Sequence, residues 1–344
     1  MTPPPIAPIS RSAPLAELRH VAKHYRVSVP GGGRGNLRAA DGIDLQVGAG
    51  TTVGLVGESG SGKSTVARLL LRLVNPTSGQ VHLDGRDVTD LRGKALRRLR
   101  GRFQLVFQDP NSSFDPLASI DDSIDEALRA RREARATRPA RTAELLEMVG
   151  LEPRLGRRHP HEMSGGQLQR AAIARALAVG PSLIALDEPV SSLDVSNQAL
   201  IVNLLNRLQS ELGVAYLFIT HDLNIARDVS HRIAVMYLGR IVESGPAEQI
   251  YADPRHPYSQ ALLSAVPQID PARRATGDRA IVQGDIPSAL DPPSGCRFHT
   301  RCPHAMAICH DQDPAVIETS NGITVACHLY AGASPSIGAP VAEH

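Results

Sequence analysis

The sequence predicts an α/β fold in which helices cover both faces of a mainly parallel sheet. Short apolar runs of strand length, at 51–56 and 183–186, alternate along the chain with segments of helical periodicity such as 63–74. Strands that alternate with helices form parallel sheets, and strands buried on both faces are apolar throughout. Residues 15–46 differ, because apolar and polar residues alternate there in two runs, which predicts two antiparallel strands.

The rest of the chain extends this alternation. A charged stretch rich in Ala, Leu, Glu and Arg begins near 120, and we predict a helical subdomain over about 119–180. Further strands and helices are predicted at 81–83, 103–107, 167–178, 195–212 and 214–219. The sequence therefore predicts a mixed sheet with a parallel core, an antiparallel β subdomain and a helical subdomain.

Composition divides the chain into four regions. Residues 1–14 include five prolines and predict a disordered arm, whereas residues 331–344 are mostly small and predict a loose tail. The alternation of strands and helices occupies 15–268. Residues 269–330 begin with a polar, Arg-rich stretch and contain all the cysteines, which predicts a small C-terminal extension.

Charge and hydropathy exclude several classes of protein. The 344 residues include 37 Lys and Arg against 35 Asp and Glu, a net charge of +2, so no basic stripe indicates nucleic-acid binding. No apolar run approaches the roughly 18 residues of a membrane-spanning helix. The first residues lack the apolar core of a signal peptide. The sequence therefore predicts a soluble, cytosolic chain with no nucleic-acid partner.

A glycine-rich loop follows the apolar strand at 51–56. Residues 57–65 match the P-loop pattern, two glycines separated by four residues and followed by Lys and Ser. In such a loop backbone N–H groups surround phosphate oxygens, Lys63 binds the β- and γ-phosphates, and Ser64 ligates Mg²⁺. A turn without a ligand is the alternative, which the strand before the loop and the helix after it disfavour. The predicted nucleotide-binding residues here are Gly57, Ser59, Gly60, Gly62, Lys63, Ser64 and Thr65.

A second acidic element supports a nucleotide site. Four apolar residues at 183–186 end in Asp187 and Glu188. A carboxylate at the C-terminal end of a buried strand lies beside the P-loop in folds of this class. We predict that Asp187 holds Mg²⁺ and that Glu188 polarises the attacking water as a general base. Alone, such a strand end is common; with the P-loop it becomes a specific pattern.

The residues Ser164, Gly165, Gly166 and Gln167 directly precede a predicted helix. A hydroxyl, free N–H groups and the helix dipole favour an anion at such a helix start. With this segment, the sequence resembles the ATPase subunits of ABC transporters. The resemblance implies that the segment contacts the γ-phosphate on a second subunit's P-loop, so that two ATP molecules lie between head-to-tail subunits. Met163 stands where the family usually has Leu, an apolar exchange that leaves the phosphate contacts unchanged.

Four further positions match motifs of that family, in the family's order. The resemblance implies that Tyr25 stacks on adenine and that Gln108 ligates Mg²⁺ and senses the transmembrane partner. It also implies that Asp194 lies in a loop that crosses to the opposite subunit and that His221 contacts the γ-phosphate. The matching region covers about 15–267 with no catalytic position missing, which implies active ATP hydrolysis. The residues implied to be catalytic are Lys63, Gln108, Glu188 and His221.

All four cysteines lie close together in the sequence. Cys296, Cys302, Cys309 and Cys327 are separated by five, six and seventeen residues. In a reducing cytosol clustered thiols indicate a metal site before they indicate disulfides. The spacing is wider than is usual for zinc and is not that of a ferredoxin. His299, His304, His310 and His328 are nearby but are predicted to be bystanders.

The segment around these cysteines resembles the C-terminal extension of ATPase subunits in oligopeptide and dipeptide importers, as do residues 257–263. The resemblance implies a [4Fe–4S] cluster on the four thiolates, with Zn²⁺ and no metal as the alternatives. The resemblance also implies that the cargo is di- or oligopeptides.

These observations predict an ATP-hydrolysing subunit that powers a membrane importer of di- or oligopeptides. The implied partners are a second ATPase subunit, identical or paralogous, two transmembrane permeases and, indirectly, an external solute-binding protein. The implied location is the cytoplasmic face of the inner or plasma membrane. The alternatives are an importer of nickel or another solute and a soluble ABC ATPase. A P-loop kinase would leave Ser164 and His221 without a role.

Overall fold

A computed structural model describes residues 13–29, 33–264, 284–319 and 321–331. The predicted N-terminal arm up to residue 12, the Arg-rich stretch at 270–279 and the predicted tail from residue 332 lie outside the described residues. Among the described residues, no helix combines the length and the apolar character that a membrane crossing requires.

The strands and helices that the sequence predicts are present in the predicted order, and the structure adds others, most of them after residue 222. The strands are β1 (Ala16–Val29), β2 (Gly33–Val47), β3 (Thr52–Val56), β4 (Ser78–Leu83), β5 (Arg86–Asp87), β6 (Phe103–Val106), β7 (Leu183–Asp187), β8 (Ala215–Thr220), β9 (Arg232–Tyr237), β10 (Arg240–Pro246), β11 (Val316–Glu318) and β12 (Thr324–Ala326). The helices are α1 (Lys63–Leu70), α2 (Gly93–Arg100), α3 (Ile120–Ala130), α4 (Arg138–Met148), α5 (Gly165–Ala178), α6 (Val195–Leu212), α7 (Leu223–Val229), α8 (Ala247–Ala252), α9 (Pro257–Ser264) and α10 (Ile308–Asp311).

The larger sheet has a parallel core and an antiparallel edge. Its strand order is β11-β12-β10-β9-β3-β8-β7-β6, and the five strands from β9 to β6 are parallel. Strands β10, β12 and β11 continue it in antiparallel pairing. The predicted α/β fold with a mixed sheet is confirmed. The C-terminal extension adds its two strands to this sheet, since Val325 of β12 pairs with Glu243 of β10.

The smaller sheet is antiparallel, in the order β2-β1-β4-β5. Strands β1 and β2 pair over almost their full length, from Ala16 opposite Val47 to Val29 opposite Gly33. The antiparallel pair predicted at 15–46 is therefore confirmed. Residues 81–83, predicted as a strand, belong to β4, which pairs with β1 on its other side.

Two central strands separate two apolar cores. Ile184 and Leu186 of β7 pack among the helices α3 to α6, whereas Leu183 and Ala185 pack toward α1 and the smaller sheet. Successive side chains of a strand point to opposite faces, so an apolar strand is buried on both sides. The side chains of β8 alternate in the same way, so this strand also contributes residues to both cores. Helix α1 covers the second core and thereby fixes the loop that precedes it.

The helix after the P-loop is shorter than its apolar spacing predicts. It ends at Leu70 rather than near Val74, because Arg72 adopts a left-handed backbone conformation with φ of 54°. The buried Arg72 guanidinium donates to the carbonyl of Val88 (2.9 Å) and to Asn75 Oδ1 (3.0 Å). Both acceptors lie outside the helix. Contacts beyond the helix therefore stabilise its end, and the apolar spacing of the sequence does not predict them.

A third core joins the end of the main body to the C-terminal extension. Phe298 packs against Tyr237 and Tyr258, with ring centroids 5.2 and 5.4 Å apart. His256 is 1% exposed beside them, and its Nδ1 accepts the Tyr258 N–H at 3.0 Å. Burial lowers the pKa of His256 to about 3, because a charged imidazole would be desolvated there. His256 is therefore a neutral acceptor.

We expect this histidine to make stability depend on pH. Its pKa is about 3 in the folded chain and near 6.5 when unfolded, so its contribution is complete above pH 6.5. As pH falls from 6.5 toward 3, the unfolded state gains the proton first, and the free energy of unfolding drops by about 1.4 kcal/mol per pH unit. Denaturant titrations at pH 4.5 to 7 measure this slope.

The variant His256→Asn keeps an acceptor near the position of Nδ1 and removes the titrating group. Its unfolding free energy should fall less steeply over the same pH range. The exposed His161→Asn is the matched control and should keep the slope of the unchanged protein. Equal slopes for all three proteins would contradict the assignment of a neutral buried His256.

Candidate functional site

The candidate site lies at the carboxyl ends of four neighbouring parallel strands. The order β3-β8-β7-β6 brings together the loop after β3, His221 after β8, Glu188 after β7 and Gln108 after β6. Carboxyl ends of parallel strands meet at one edge of the sheet, and ligands bind at that edge in folds of this class. Residues far apart in the chain therefore converge at one place.

Backbone geometry gives the P-loop glycines distinct roles. Gly62 precedes α1 with φ of 104°, and a Cβ there would lie 2.0 Å from the carbonyl oxygen of Ala39. A Cβ on Gly57 would lie 2.1 Å from the carbonyl oxygen of Met236. Gly60 has φ of 77° with open space around it, and it is exposed together with Ser59 at the loop tip. The loop is therefore packed tightly at both ends and open in the middle.

Lys63 lies under this loop. Its ammonium donates to the carbonyls of Gly57 (2.7 Å) and Glu58 (2.9 Å), and its Nζ is 4.0 Å from a carboxylate oxygen of Glu188. The side chain is 5% exposed, and burial lowers its pKa despite the neighbouring carboxylates. A nearby phosphate oxygen would stabilise the positive charge of this desolvated ammonium, which carbonyl groups hold in place.

A hydroxyl and a carboxylate meet beside the loop. Ser64 Oγ donates to Asp187 Oδ1 at 3.0 Å, and Thr65 follows, half-buried, on α1. Burial raises the pKa of Asp187, and the hydrogen bond from Ser64 only partly offsets it. Hydroxyl and carboxylate oxygens are ligands that Mg²⁺ prefers, so this pair fits Mg²⁺ by its chemistry.

Glu188 is the centre of the site. Its φ is 46°, an unusual conformation for a residue other than glycine, and its N–H donates to the Ile219 carbonyl at 3.0 Å. One carboxylate oxygen accepts from Gln108 Nε2 at 3.2 Å and lies 3.5 Å from His221 Nδ1. The structure thus brings together Lys63, Gln108, Glu188 and His221 around one carboxylate.

The Ser-Gly-Gly-Gln segment begins helix α5. Ser164 Oγ accepts the Gln167 N–H at 3.3 Å, and Gln167 Oε1 accepts the Ser164 N–H at 3.1 Å. This capping box leaves the first helical N–H groups, those of Gly165 and Gly166, without partners inside the helix. Ser164 and Gly165 are exposed. The Gly165 N–H therefore lies at the surface, whereas Gly166 is buried against the start of α6.

Asp194 lies next to that segment. It caps α6, since its Oδ1 accepts the Asn197 N–H at 2.9 Å, and hydrogen bonds from Asn197 hold the Asp194 pKa below its usual range. A Cβ on Gly166 would lie 2.9 Å from Asn197 Oδ1, so the starts of α5 and α6 are in close contact. No hydrogen bond or ion pair among the described residues joins Ser164 or Asp194 to the P-loop.

Tyr25 lies on β1 of the smaller sheet. It is half-buried, pairs with Leu37 of β2, and has the Lys23 ammonium 5.0 Å from its ring centroid. This contact is a cation–π pair on a strand surface. The stacking of Tyr25 on adenine stays a prediction.

Sequence reasoning missed one group of residues that contact the P-loop. Arg301 donates to both carboxylate oxygens of Glu58, at 2.9 and 3.1 Å, and Tyr258 Oη accepts the Glu58 N–H at 2.9 Å. Arg301 lies between two cysteines and Tyr258 lies in α9, about 200 residues from the loop. No periodicity or spacing relates such distant positions, so only the folded chain reveals them.

The four cysteines are free thiols that lie close to one another. Burial raises the pKa values of Cys296, Cys302 and Cys327, and neighbouring cysteines raise them further. However, in the part of the chain that the structure describes, no three or more His, Cys, Asp or Glu side chains are arranged to hold a metal ion. The predicted metal site on Cys296, Cys302, Cys309 and Cys327, whether for an iron–sulfur cluster or for Zn²⁺, is therefore not supported by this geometry.

Comparison with known proteins identifies the family. The model described as "ABC transporter" matches residues 40–191, and the model described as "Oligopeptide/dipeptide transporter, C-terminal region" matches residues 242–309. A putative peptide import ATP-binding protein of Brucella abortus (strain 2308) is 51% identical over 303 residues, covering 88% of this chain and 89% of the relative. The chain belongs to the ABC transporter family of ATP-binding subunits. The resemblance seen in the sequence is thereby confirmed.

Other relatives agree with this ABC assignment. The oligopeptide transport ATP-binding protein AppF of Bacillus subtilis (strain 168) is 44% identical over 320 residues, covering 92% of this cassette chain and 97% of AppF. Among solved structures, the ATP-binding cassette MJ0796, a dimer in a post-hydrolysis state bound to ADP and Pi, is 32% identical with a TM-score of 0.60. The match covers 67% of this chain and 98% of the MJ0796 chain. The fold is therefore that of an ABC ATPase.

Proposed function

We propose that this chain hydrolyses ATP to power the import of di- or oligopeptides across a membrane. The observation that carries the proposal is the placement of Glu188, which faces Lys63, Gln108 and His221 at the edge of the sheet beside the Ser64–Asp187 pair. This is a phosphate-binding loop with a carboxylate positioned next to it. Phosphoryl transfer to water needs in-line positioning and charge neutralisation, and these residue types supply both.

The steps follow from the chemistry of the side chains. The P-loop N–H groups and Lys63 bind the β- and γ-phosphates of ATP. Glu188 accepts a proton from the water that attacks the γ-phosphorus, while ADP leaves with the electrons of the broken P–O bond. Gln108 and His221, both within reach of that carboxylate, orient the water and contact the γ-phosphate. Ser64 and Asp187, with Gln108, would hold Mg²⁺, which would neutralise charge on the phosphate oxygens.

We also propose that two such subunits close over two ATP molecules. The exposed helix start at Ser164 and Gly165 forms an anion site that no described contact joins to the P-loop of the same chain. A second subunit in head-to-tail orientation would bring that site, with Asp194, onto the γ-phosphate. Opening and closing of the pair would then be the two-state element that drives the transporter.

The cargo and the membrane partners are inferred from relatives. The printed names of the Brucella and Bacillus relatives describe peptide import and oligopeptide transport. By this likeness the chain acts with two permeases at the cytoplasmic face of the membrane, and a solute-binding protein delivers peptide from outside. Nickel import remains the alternative within the same transporter group.

Reconstitution tests this function. In liposomes that contain the chain with its permeases, a peptide-loaded binding protein should stimulate phosphate release and uptake of a labelled dipeptide. The variant Lys63→Met should lose both. If labelled nickel rather than peptide accumulates, the cargo assignment is wrong although the ATPase assignment stands.

We further propose an iron–sulfur cluster on the four cysteines. In a [4Fe–4S] cluster each thiolate binds a different iron, so the sulfurs need not converge on one ion as they do at zinc. The free state of all four thiols is compatible with that larger group. The cluster would supply a rigid connection between the cysteines, with no part in the ATP chemistry.

We therefore expect anaerobically purified protein to be brown and to contain about four irons per chain. Metal analysis and the visible absorption spectrum measure this. Cys296→Ser should lose most of the iron, whereas the exposed His304→Ala should keep it. Colourless protein with one zinc per chain, or with no metal, would contradict the cluster.

A further inference from the structure

The C-terminal extension contacts the P-loop directly. The segment 296–302 connects two cysteines and contains a short turn, His299–Arg301, that lies against the loop. Arg301 makes a bidentate ion pair with Glu58, with side-chain exposures of 8% and 26% respectively. Bidentate Arg–carboxylate pairs fix distance and angle together, and a largely buried pair is screened little by solvent. A residue of the extension therefore sets where Glu58 lies.

Glu58 is held at three points. Its carboxylate binds Arg301, its N–H donates to Tyr258 Oη (2.9 Å), and its carbonyl accepts from the Lys63 ammonium (2.9 Å). The last contact is the important one, because Lys63 is the side chain that binds phosphate in the proposed function. A shift of Glu58 would move the carbonyl that positions this ammonium.

Three packed aromatic side chains support the contacts of Glu58. The Tyr237 and Tyr258 ring centroids are 4.7 Å apart, and Phe298, from the same segment as Arg301, packs on both. Tyr258 and Phe298 are each 1% exposed. Aromatic side chains buried in this way have few alternative rotamers, so they transmit displacement rather than absorb it.

A second connection runs from the same segment to the other end of the loop. The buried Arg297 donates to Asp41 and to the carbonyl of Leu238. The next residue, Gly239, donates its N–H to the Ser61 carbonyl at 2.8 Å and accepts the Asp41 N–H at 2.8 Å. Arg301 thus contacts the P-loop directly at Glu58, whereas Arg297 is connected to Ser61 through Leu238 and Gly239.

We propose that Arg301 is a positioning residue for nucleotide binding: through Glu58 it holds the P-loop in its binding conformation and so couples the cysteine-bearing segment 296–302 to ATP. The inference rests on the proposed ATP site. Because coupling between two sites is reciprocal, ATP binding should in turn order this segment. The extension is then a control element of the nucleotide site in addition to being a part of the sheet.

A double-mutant cycle on the full-length chain tests the ion pair. Arg301→Gln and Glu58→Gln should each raise the Kd for Mg-ATP about tenfold, and the double variant should raise it by the same factor, not a hundredfold. In steady state, KM should rise while kcat changes little, because neither side chain touches the γ-phosphate. Arg301→Lys should restore part of the affinity.

The matched control is Arg141→Gln, which breaks the exposed ion pair Arg141–Glu144 (2.7 Å) on α4. It should leave the Kd unchanged. A purely structural role for Arg301 would lower the unfolding midpoint and leave the Kd of the folded fraction as it was. Should Arg301→Gln fail to fold, Glu58→Gln alone still decides the question, because the amide has the same size as the carboxylate and the side chain is partly exposed.

Hydrogen exchange supplies the reciprocal measurement. ATP should slow amide exchange in the peptide that contains 296–302 of the unchanged protein, and this protection should disappear in Arg301→Gln. If the unchanged protein binds ATP but the variants bind it equally well, the coupling is wrong and the proposed function stands. The same holds if ATP binds but does not protect the segment 296–302. Failure of the unchanged protein to bind ATP would overturn the proposed function and this inference together.

Discussion

Replacement of Glu188 by Gln should lower ATP turnover about 10²- to 10⁴-fold while ATP still binds, since a general base contributes roughly this factor. The amide keeps the shape of the side chain and an oxygen that can accept from Gln108, which lies 3.2 Å away in the unchanged protein. It cannot take the proton of the attacking water. Phosphate release at saturating Mg-ATP and a separate equilibrium binding measurement distinguish the two effects.

Removal of one negative charge from this site has a second consequence. Lys63 keeps only Asp187 and Glu58 as neighbouring carboxylates, so the variant should bind the anionic Mg-ATP at least as tightly as the unchanged protein does. The exposed Glu211→Gln on α6 is the matched control and should turn over ATP normally. If Glu188→Gln hydrolysed ATP at the normal rate while folded, another group would be the base.

Replacement of Lys63 by Met should weaken Mg-ATP binding about 10²-fold or more, because a buried charged donor to phosphate is worth on the order of 3 kcal/mol. Methionine has a similar length and fills the space under the loop without a donor. Loss of turnover follows from loss of binding. Titration with a fluorescent ATP analogue measures the Kd, and phosphate release measures the turnover.

The same substitution should not destabilise the protein without nucleotide. Burial lowers the Lys63 pKa, so the folded chain disfavours its charge, and an apolar side chain removes that cost. The unfolding midpoint should equal or exceed that of the unchanged protein. The exposed Lys94→Met is the control for loss of a lysine and should bind ATP normally. A stable Lys63→Met protein that binds ATP normally would contradict the phosphate role.

Some features of the site could be predicted because they are local in the chain. The P-loop needs glycines at fixed offsets from a lysine, since φ of 77° and 104° at Gly60 and Gly62 favours residues without a side chain. Asp187 could be placed because it ends an apolar strand. By contrast, the left-handed φ of Glu188 and the end of helix α1 at Leu70 depend on partners elsewhere in the fold, namely Ile219 and Val88.

The cysteines illustrate a different limit of prediction. Their crowding in the sequence indicated that they lie together, and their mutual effects on pKa agree with that. Sequence spacing could not specify whether their sulfurs converge on one ion, since that depends on how the loops between them fold. The described side chains do not converge in that way.

The sequence by itself determined the α/β fold with its mixed sheet and the family, because hydrophobic period, loop glycines and residue type act over a few neighbouring residues. Tertiary structure alone decided which groups meet. It placed Gln108 and His221 beside the same carboxylate oxygen of Glu188. It also joined Arg301 of the extension to Glu58 of the P-loop, 243 residues away. Contacts of that range arise from strand order and core packing, which no local pattern encodes.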